Sequence, residues 1–210
     1  MEIIRDPREI EKKSMAIIEA ALPQLKCFPE REREIVKRVI HTTGDLGCVS
    51  MVSISPGAVE AGLAAIRGGR AILTDVNMLR TGLIAGRMEK FGVIAHCLIS
   101  HPGVVEEARE QGVTRAMLAM QKGAGLAEGG IIAVGNAPTA LFEICRMVRE
   151  GLLRPALVVG TPVGFVGAAE SKEELLETSA ATGLEYITLP GTRGGSTIAA
   201  SIVNALLLQA

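Results

Sequence analysis

Ile131-Ile132-Ala133-Val134-Gly135-Asn136-Ala137-Pro138-Thr139 is the stretch whose reading decides the fold. A short apolar run bounded by turn residues reads as a strand buried on both faces. The glycine ends it, and the proline opens a helix running to about Arg149. The device recurs. Ala156-Leu157-Val158-Val159 runs into Gly160-Thr161-Pro162-Val163-Gly164, and Tyr186-Ile187-Thr188-Leu189 runs into Pro190-Gly191-Thr192-Arg193-Gly194-Gly195-Ser196 and a terminal helix. Continuous apolar strands alternating with helices predict an α/β fold: a doubly wound, mainly parallel sheet with helices on both faces.

Working outward, Ala71 to Asp75 and Val93 to Ile99 add strands, with a helical segment between them from about Asn77 to Ala85. Ser55-Pro56-Gly57 opens a helix reaching about Ile66, closed by Gly68-Gly69, and two more run from Val104 to Glu110 and from Ala116 to about Leu126. Near the start, Pro7 to Leu22 reads as a helix after the Asp6-Pro7 turn. A second runs from Pro29, at its first helical position, to Thr43, with Glu30, Glu32 and Glu34 at its positive end. Its apolar residues Ile35, Val36, Val39 and Ile40 recur at helical spacing, and His41 follows at the edge of that stripe, where it should face a pocket wall. Lys37 and Arg38 share its face and would oppose a positive imidazole, whereas Asp45 would favour one. A core-edge histidine with a satisfied hydrogen bond and an acid/base histidine both fit this pattern.

With 210 residues, 48% hydrophobic and 21% charged, the chain is long enough for one domain over residues 1–210 with a real core. A net charge of -1 and 2% aromatics supply neither the cations nor the stacking faces for nucleic acid. Cys27, Cys48, Cys97 and Cys145 form no Cys-x-x-Cys pair and read as reduced, mostly buried thiols of a cytoplasmic protein. Met1 to Asp6 shows no positive region ahead of an apolar core, so no export signal is expected. The longest uncharged run, Gly194 to Ala210, is shorter than the roughly 20 residues a membrane span needs and reads as a buried or interface helix. His96 and Cys97 would point to opposite faces of a strand, so no metal site is expected there, although His101 lies nearby.

In such a sheet the loops after the strands gather at one edge, where helix amino termini bind anions. Asn136-Ala137-Pro138-Thr139, Pro162-Val163-Gly164-Phe165 and Gly194-Gly195-Ser196 are uncharged and roomy, and together predict a broad, flat ligand with several negative groups. No G-x-x-x-x-G-K-[S/T] loop and no G-x-G-x-x-G after a strand is present, which removes the standard triphosphate and dinucleotide cradles. No Gly-x-Ser-x-Gly elbow is present either.

Val39-Ile40-His41, the Gly135 to Leu141 loop, the Pro162 to Lys172 stretch and Arg193-Gly194-Gly195-Ser196 together resemble the precorrin-8X methylmutase family, essentially end to end. That family, in cobalt-free and cobalt-containing branches, serves cobalamin (vitamin B12) synthesis. The resemblance implies an isomerase that moves a methyl group from C-11 to C-12 of a contracted tetrapyrrole by a 1,5-sigmatropic shift, giving hydrogenobyrinate or, with cobalt in the ring, cobyrinate. It implies no cofactor, and a macrocycle whose acetates and propionates suit the multi-anionic ligand expected above. By family position His41 is the general acid toward a ring nitrogen, and Ser14 and Arg115 are substrate contacts. Asn136 and Thr139 are placed as substrate-binding by their loop. The resemblance further implies a homodimer with the cleft at the subunit interface, which would give the uncharged terminal helix a partner. Two other readings remain: a corrinoid carrier indifferent to loss of His41, and an unrelated anion-binding α/β enzyme protected by nucleotides.

Overall fold

The computed structural model describes residues 3–210; Met1 and Glu2, the first residues of the stretch in which no export signal is expected, lie outside the described residues. Six strands make one sheet: β1 (Ser53–Ile54), β2 (Ile72–Thr74), β3 (Ala95–His96), β4 (Ile131–Val134), β5 (Leu157–Gly160) and β6 (Tyr186–Thr188), in the spatial order β1-β6-β5-β4-β2-β3. All neighbours are parallel except β1, which runs antiparallel to β6 with Ser53 opposite Thr188. That reversal brings the segment before β1 to the edge where the parallel strands end.

Side chains alternate across the sheet with the period of a strand. Ile72, Ile131, Ala133, Leu157, Val159 and Ile187 enter one core, with α1 (Pro7–Ala21), α2 (Glu30–Thr43), α3 (Ala58–Arg67) and α10 (Ser196–Gln209). Leu73, Ile132, Val134 and Val158 enter the other, under α6 (Pro102–Gln111), α7 (Arg115–Gly123), α8 (Pro138–Arg149) and α9 (Ala168–Thr182). The sheet is therefore covered on both faces, and the doubly wound, mainly parallel expectation holds.

Two elements are shorter than their sequence suggested. The segment after β2 splits at Gly82-Leu83-Ile84 into α4 (Asn77–Thr81) and α5 (Ala85–Lys90), because the side chain of Asn204 accepts from the Ile84 N–H and donates to the Gly82 carbonyl, diverting the backbone there. Only Ala95 and His96 of the Val93 to Ile99 run pair as a strand, at the open edge beside β2. Pro29 stands just before α2 as its N-cap rather than inside it.

α10 is lined by Ile198, Ile202, Val203, Leu206 and Leu207, all buried against α2, α3 and the sheet. Each such side chain contributes about 1.5–3 kcal/mol on burial. The apolar face of the helix is thus covered by its own chain, as a buried helix. Among the described residues no helix is long and apolar enough to cross a membrane. Cys48 and Cys145 are buried, Cys97 is half-buried and Cys27 is exposed, and all are free thiols.

Candidate functional site

His41 lies in the last turn of α2, ahead of Gly44, whose φ of 66° ends the helix in the left-handed region. Contrary to expectation, its side chain is exposed on this chain rather than set in a pocket wall. Its Nδ1 is 2.9 Å from the Ser14 hydroxyl on α1. The flanking charges face elsewhere. Lys37 is buried and held by Glu19 at 2.5 Å and Glu34 at 2.8 Å. Burial alone would lower its ammonium, but these two carboxylates hold it above its ordinary value. Arg38 pairs with Glu11, and Asp45 takes the Arg193 guanidinium at 2.5 Å and the Gly47 N–H at 2.8 Å. The charges expected to tune His41 instead clamp α1 to α2 and the end of α2 to the loop after β6.

That loop is built from the inside. Lys172, fully buried on α9, donates to the carbonyls of Gly191 at 2.8 Å and Arg193 at 2.5 Å, and burial lowers its ammonium to about 8. Gly194 lies so close to the loop after β5 that a Cβ there would meet the Thr161 oxygen at 2.3 Å and the Pro162 oxygen at 2.5 Å. The loop after β5 carries an exposed apolar tip, with Phe165 93% and Val166 90% exposed.

The loop after β4 departs from the expected anion cradle. Asp75, fully buried at the end of β2, accepts the N–H groups of Gly135 at 3.0 Å, Asn136 at 2.8 Å and Ala137 at 2.8 Å. Burial pushes its carboxyl up and the three amides oppose the shift. The chain's own carboxylate already occupies the amides ahead of α8, so the Asn136 N–H is not free for a ligand. Thr139 is held 2.9 Å from the Thr114 hydroxyl, which also caps α7 by accepting from the Met117 N–H at 3.2 Å. This places Thr139 beside Arg115, the first residue of α7, which is exposed and makes no ion pair among the described residues. The structure thus joins Ser14 to His41 and Thr139 to the Arg115 corner, with no direct contact between the two groups.

Two recesses open at this edge. One, of about 380 Å³, is lined by Thr42, Met78, Thr81, Ser196 and Thr197 among others. The second, of about 280 Å³, is lined by Thr43, Asp45, Cys48, Val163 and Arg193 among others. Both are near the low end of the roughly 300–1,000 Å³ usual for small-molecule sites. They suit substituents of a large ligand rather than its whole body. Among the described residues no three of His, Cys, Asp and Glu converge as a metal site.

The family model described as precorrin-8X methylmutase matches residues 9–209. The chain belongs to the precorrin-8X methylmutase family. It is 43% identical to the cobalt-precorrin-8 methylmutase of Leptospira interrogans over 206 residues, 96% of this chain and 93% of that one. Against the precorrin-8X methylmutase of Pseudomonas aeruginosa it is 40% identical over 209 residues, covering 100% of this chain and 99% of that one. A crystal structure of the precorrin-8X methylmutase from Thermus thermophilus superposes with a TM-score of 0.86 at 39% identity, covering 96% and 95% of the two chains.

For a methylmutase the arrangement offers one imidazole held by a neutral hydroxyl. Ser14 can donate to a bare Nδ1 or accept from a protonated one, and Nε2 makes no hydrogen bond among the described residues. The supporting residues Asp75 and Thr114 did not emerge from the sequence. Asp75 left one trace, a carboxylate following directly on the apolar run Ala71-Ile72-Leu73-Thr74.

Proposed function

We propose that this methylmutase moves the methyl group of precorrin-8X or cobalt-precorrin-8 from C-11 to C-12, with His41 as the general acid. The observation that carries the assignment is the Ser14–His41 pair at 2.9 Å, which fixes the ring through Nδ1 and leaves Nε2 for a ligand. In this reading Nε2 donates a proton to a ring nitrogen, electron density leaves the conjugated system, and the tautomer that permits the shift is favoured. The C-11 bond breaks as the C-12 bond forms within one molecule, no electrons enter or leave, and the proton returns to Nε2. A positioned acid contributes roughly 10²- to 10⁴-fold. Orientation of the bound ring supplies much of the remainder.

Arg115, Asn136 and Thr139 are assigned to the substrate, Arg115 to a peripheral carboxylate through a charge-assisted hydrogen bond. Ser14 orients His41 and borders the same ligand. We take residues 1–210 as one methylmutase domain working as a cytoplasmic homodimer; the small recesses of the single chain support a cleft completed by a partner. The reference proteins at 43% and 40% identity carry the cobalt-containing and cobalt-free names respectively, so the substrate form is decided by assay.

The test is an absorbance assay of the wild type and His41→Ala with both forms of the substrate. Conversion by the wild type and retained binding without conversion by His41→Ala is the expected result. Binding without conversion by both proteins would make this a carrier. Neither binding nor conversion would end the tetrapyrrole reading.

A further inference from the structure

The larger recess at the site edge, of about 380 Å³, opens at the amino terminus of α10. One wall is Thr42, the residue after His41; another is Met78, Thr81 and Gly82; Ser196 and Thr197 form the floor. Asn204 fixes the second wall through its bonds to Ile84 and Gly82, at 2.9 and 2.8 Å.

Two observations point to a ligand here. No side chain caps α10: Gly195 stands at the N-cap, and its own N–H goes to the Thr161 carbonyl at 2.8 Å. The amides of Ser196, Thr197 and Ile198 therefore have no intrahelical acceptor. Ahead of α8, by contrast, the loop amides of Asn136 and Ala137 are met by Asp75. Independently, Ser196 is only 9% exposed, lines the recess, and its hydroxyl has no hydrogen-bond partner among the described residues. The residue is buried while its hydroxyl oxygen stays accessible, so that oxygen is free to meet a ligand in the recess.

We propose that this recess is a carboxylate subsite, in which one acetate or propionate of the macrocycle is held by the Ser196 and Thr197 hydroxyls and the first-turn amides of α10. The proposal rests on the tetrapyrrole reading above. The 14-residue helix directs the positive end of its dipole into the recess, so an anion is favoured without a cationic side chain. Because Thr42 borders the subsite, the anchored carboxylate sets the register of the ring against His41, one residue away.

Thr197→Asp separates a binding role from a structural one. Thr197 is exposed at the second position of α10, where a new carboxylate complements the helix dipole and repels a bound carboxylate. With hydrogenobyrinate as probe, the expected result is a higher melting temperature together with at least tenfold weaker binding. The same corrin with its carboxylates converted to amides should bind the variant and the wild type equally. Ser196→Ala, which leaves the helix intact, should weaken only the acid, by a few-fold. Unchanged binding of the acid by both variants, or equal weakening of acid and amide, would overturn the subsite while leaving the tetrapyrrole reading intact. Failure of the wild type to bind or convert any corrinoid would overturn both.

Discussion

Ser14 on α1 and His41 on α2 stand 27 positions apart in sequence and 2.9 Å apart in the fold. Removing the hydroxyl in Ser14→Ala frees the ring to rotate without changing its chemistry. A net hydrogen bond of about 1–1.5 kcal/mol corresponds to a loss of about tenfold in kcat/KM. In a His41→Ala background, read by substrate binding, the same substitution should cost nothing more, since its partner is gone. A further loss in the double variant would show that Ser14 acts on the substrate independently of His41.

Lys172 gives the fold a dependence on alkaline pH. Its ammonium is lowered to about 8 from an ordinary 10.5 because it is buried. Below pH 8 both folded and unfolded chains hold the proton, and the folded state bears the cost of the buried charge. Between 8 and 10.5 the folded chain has released a proton that the unfolded chain retains, so this group's contribution to stability rises with pH across that window. The gain is on the order of 3 kcal/mol. Denaturant melts of the wild type and Lys172→Met from pH 7 to 10.5 should show the difference between the two moving in favour of the wild type. A flat difference would mean that the ammonium is not destabilised in the fold.

Asp75→Asn keeps the size of the side chain and removes the charge that meets three amides. The new NH₂ group must face N–H donors, and leaving buried donors unmet costs about 1–3 kcal/mol. We expect a stability loss of that size by urea titration, with kcat/KM falling further because Asn136 loses its support. Full activity at a temperature where the variant is folded would show that the loop holds its shape without the carboxylate.

Gly194 and Gly44 test two different reasons for glycine. At Gly194 a methyl group would meet the backbone oxygens of Thr161 and Pro162 at 2.3 and 2.5 Å, so neighbours must move and Gly194→Ala should lose about 1–3 kcal/mol or more. At Gly44 nothing lies within 4 Å, and only the φ of 66° opposes a side chain, so Gly44→Ala should lose about 1 kcal/mol. Comparing their melting temperatures distinguishes crowding from backbone strain; a larger loss at Gly44 would reverse the assignment.

Local pattern carried much of the fold. The apolar run Ile131–Val134 and the helix Pro138–Arg149 lie where period, glycine and proline put them, because those signals act within a few residues. The break between α4 and α5 depends on Asn204, more than 100 residues away, and no local signal announces it. The candidate site divides in the same way. Family motifs placed His41, Arg115, Asn136 and Thr139 on the chain, while their surroundings came from distant partners. Helical spacing makes Lys37, Arg38 and Asp45 neighbours of His41, yet Glu19, Glu11 and Arg193 draw them away. The glycine loop ahead of α8 read as an anion cradle, and the anion it cradles is Asp75.

The projecting ring of Phe165, 93% exposed beside the loops of the site, has an optical consequence. The chain contains no tryptophan and a single tyrosine, so its intrinsic emission is nearly dark. An indole introduced at 165 would be the lone strong emitter, seated where a coloured macrocycle would approach. Energy transfer to that ligand would make its arrival and departure visible in time, and the slower of the two could be compared directly with turnover.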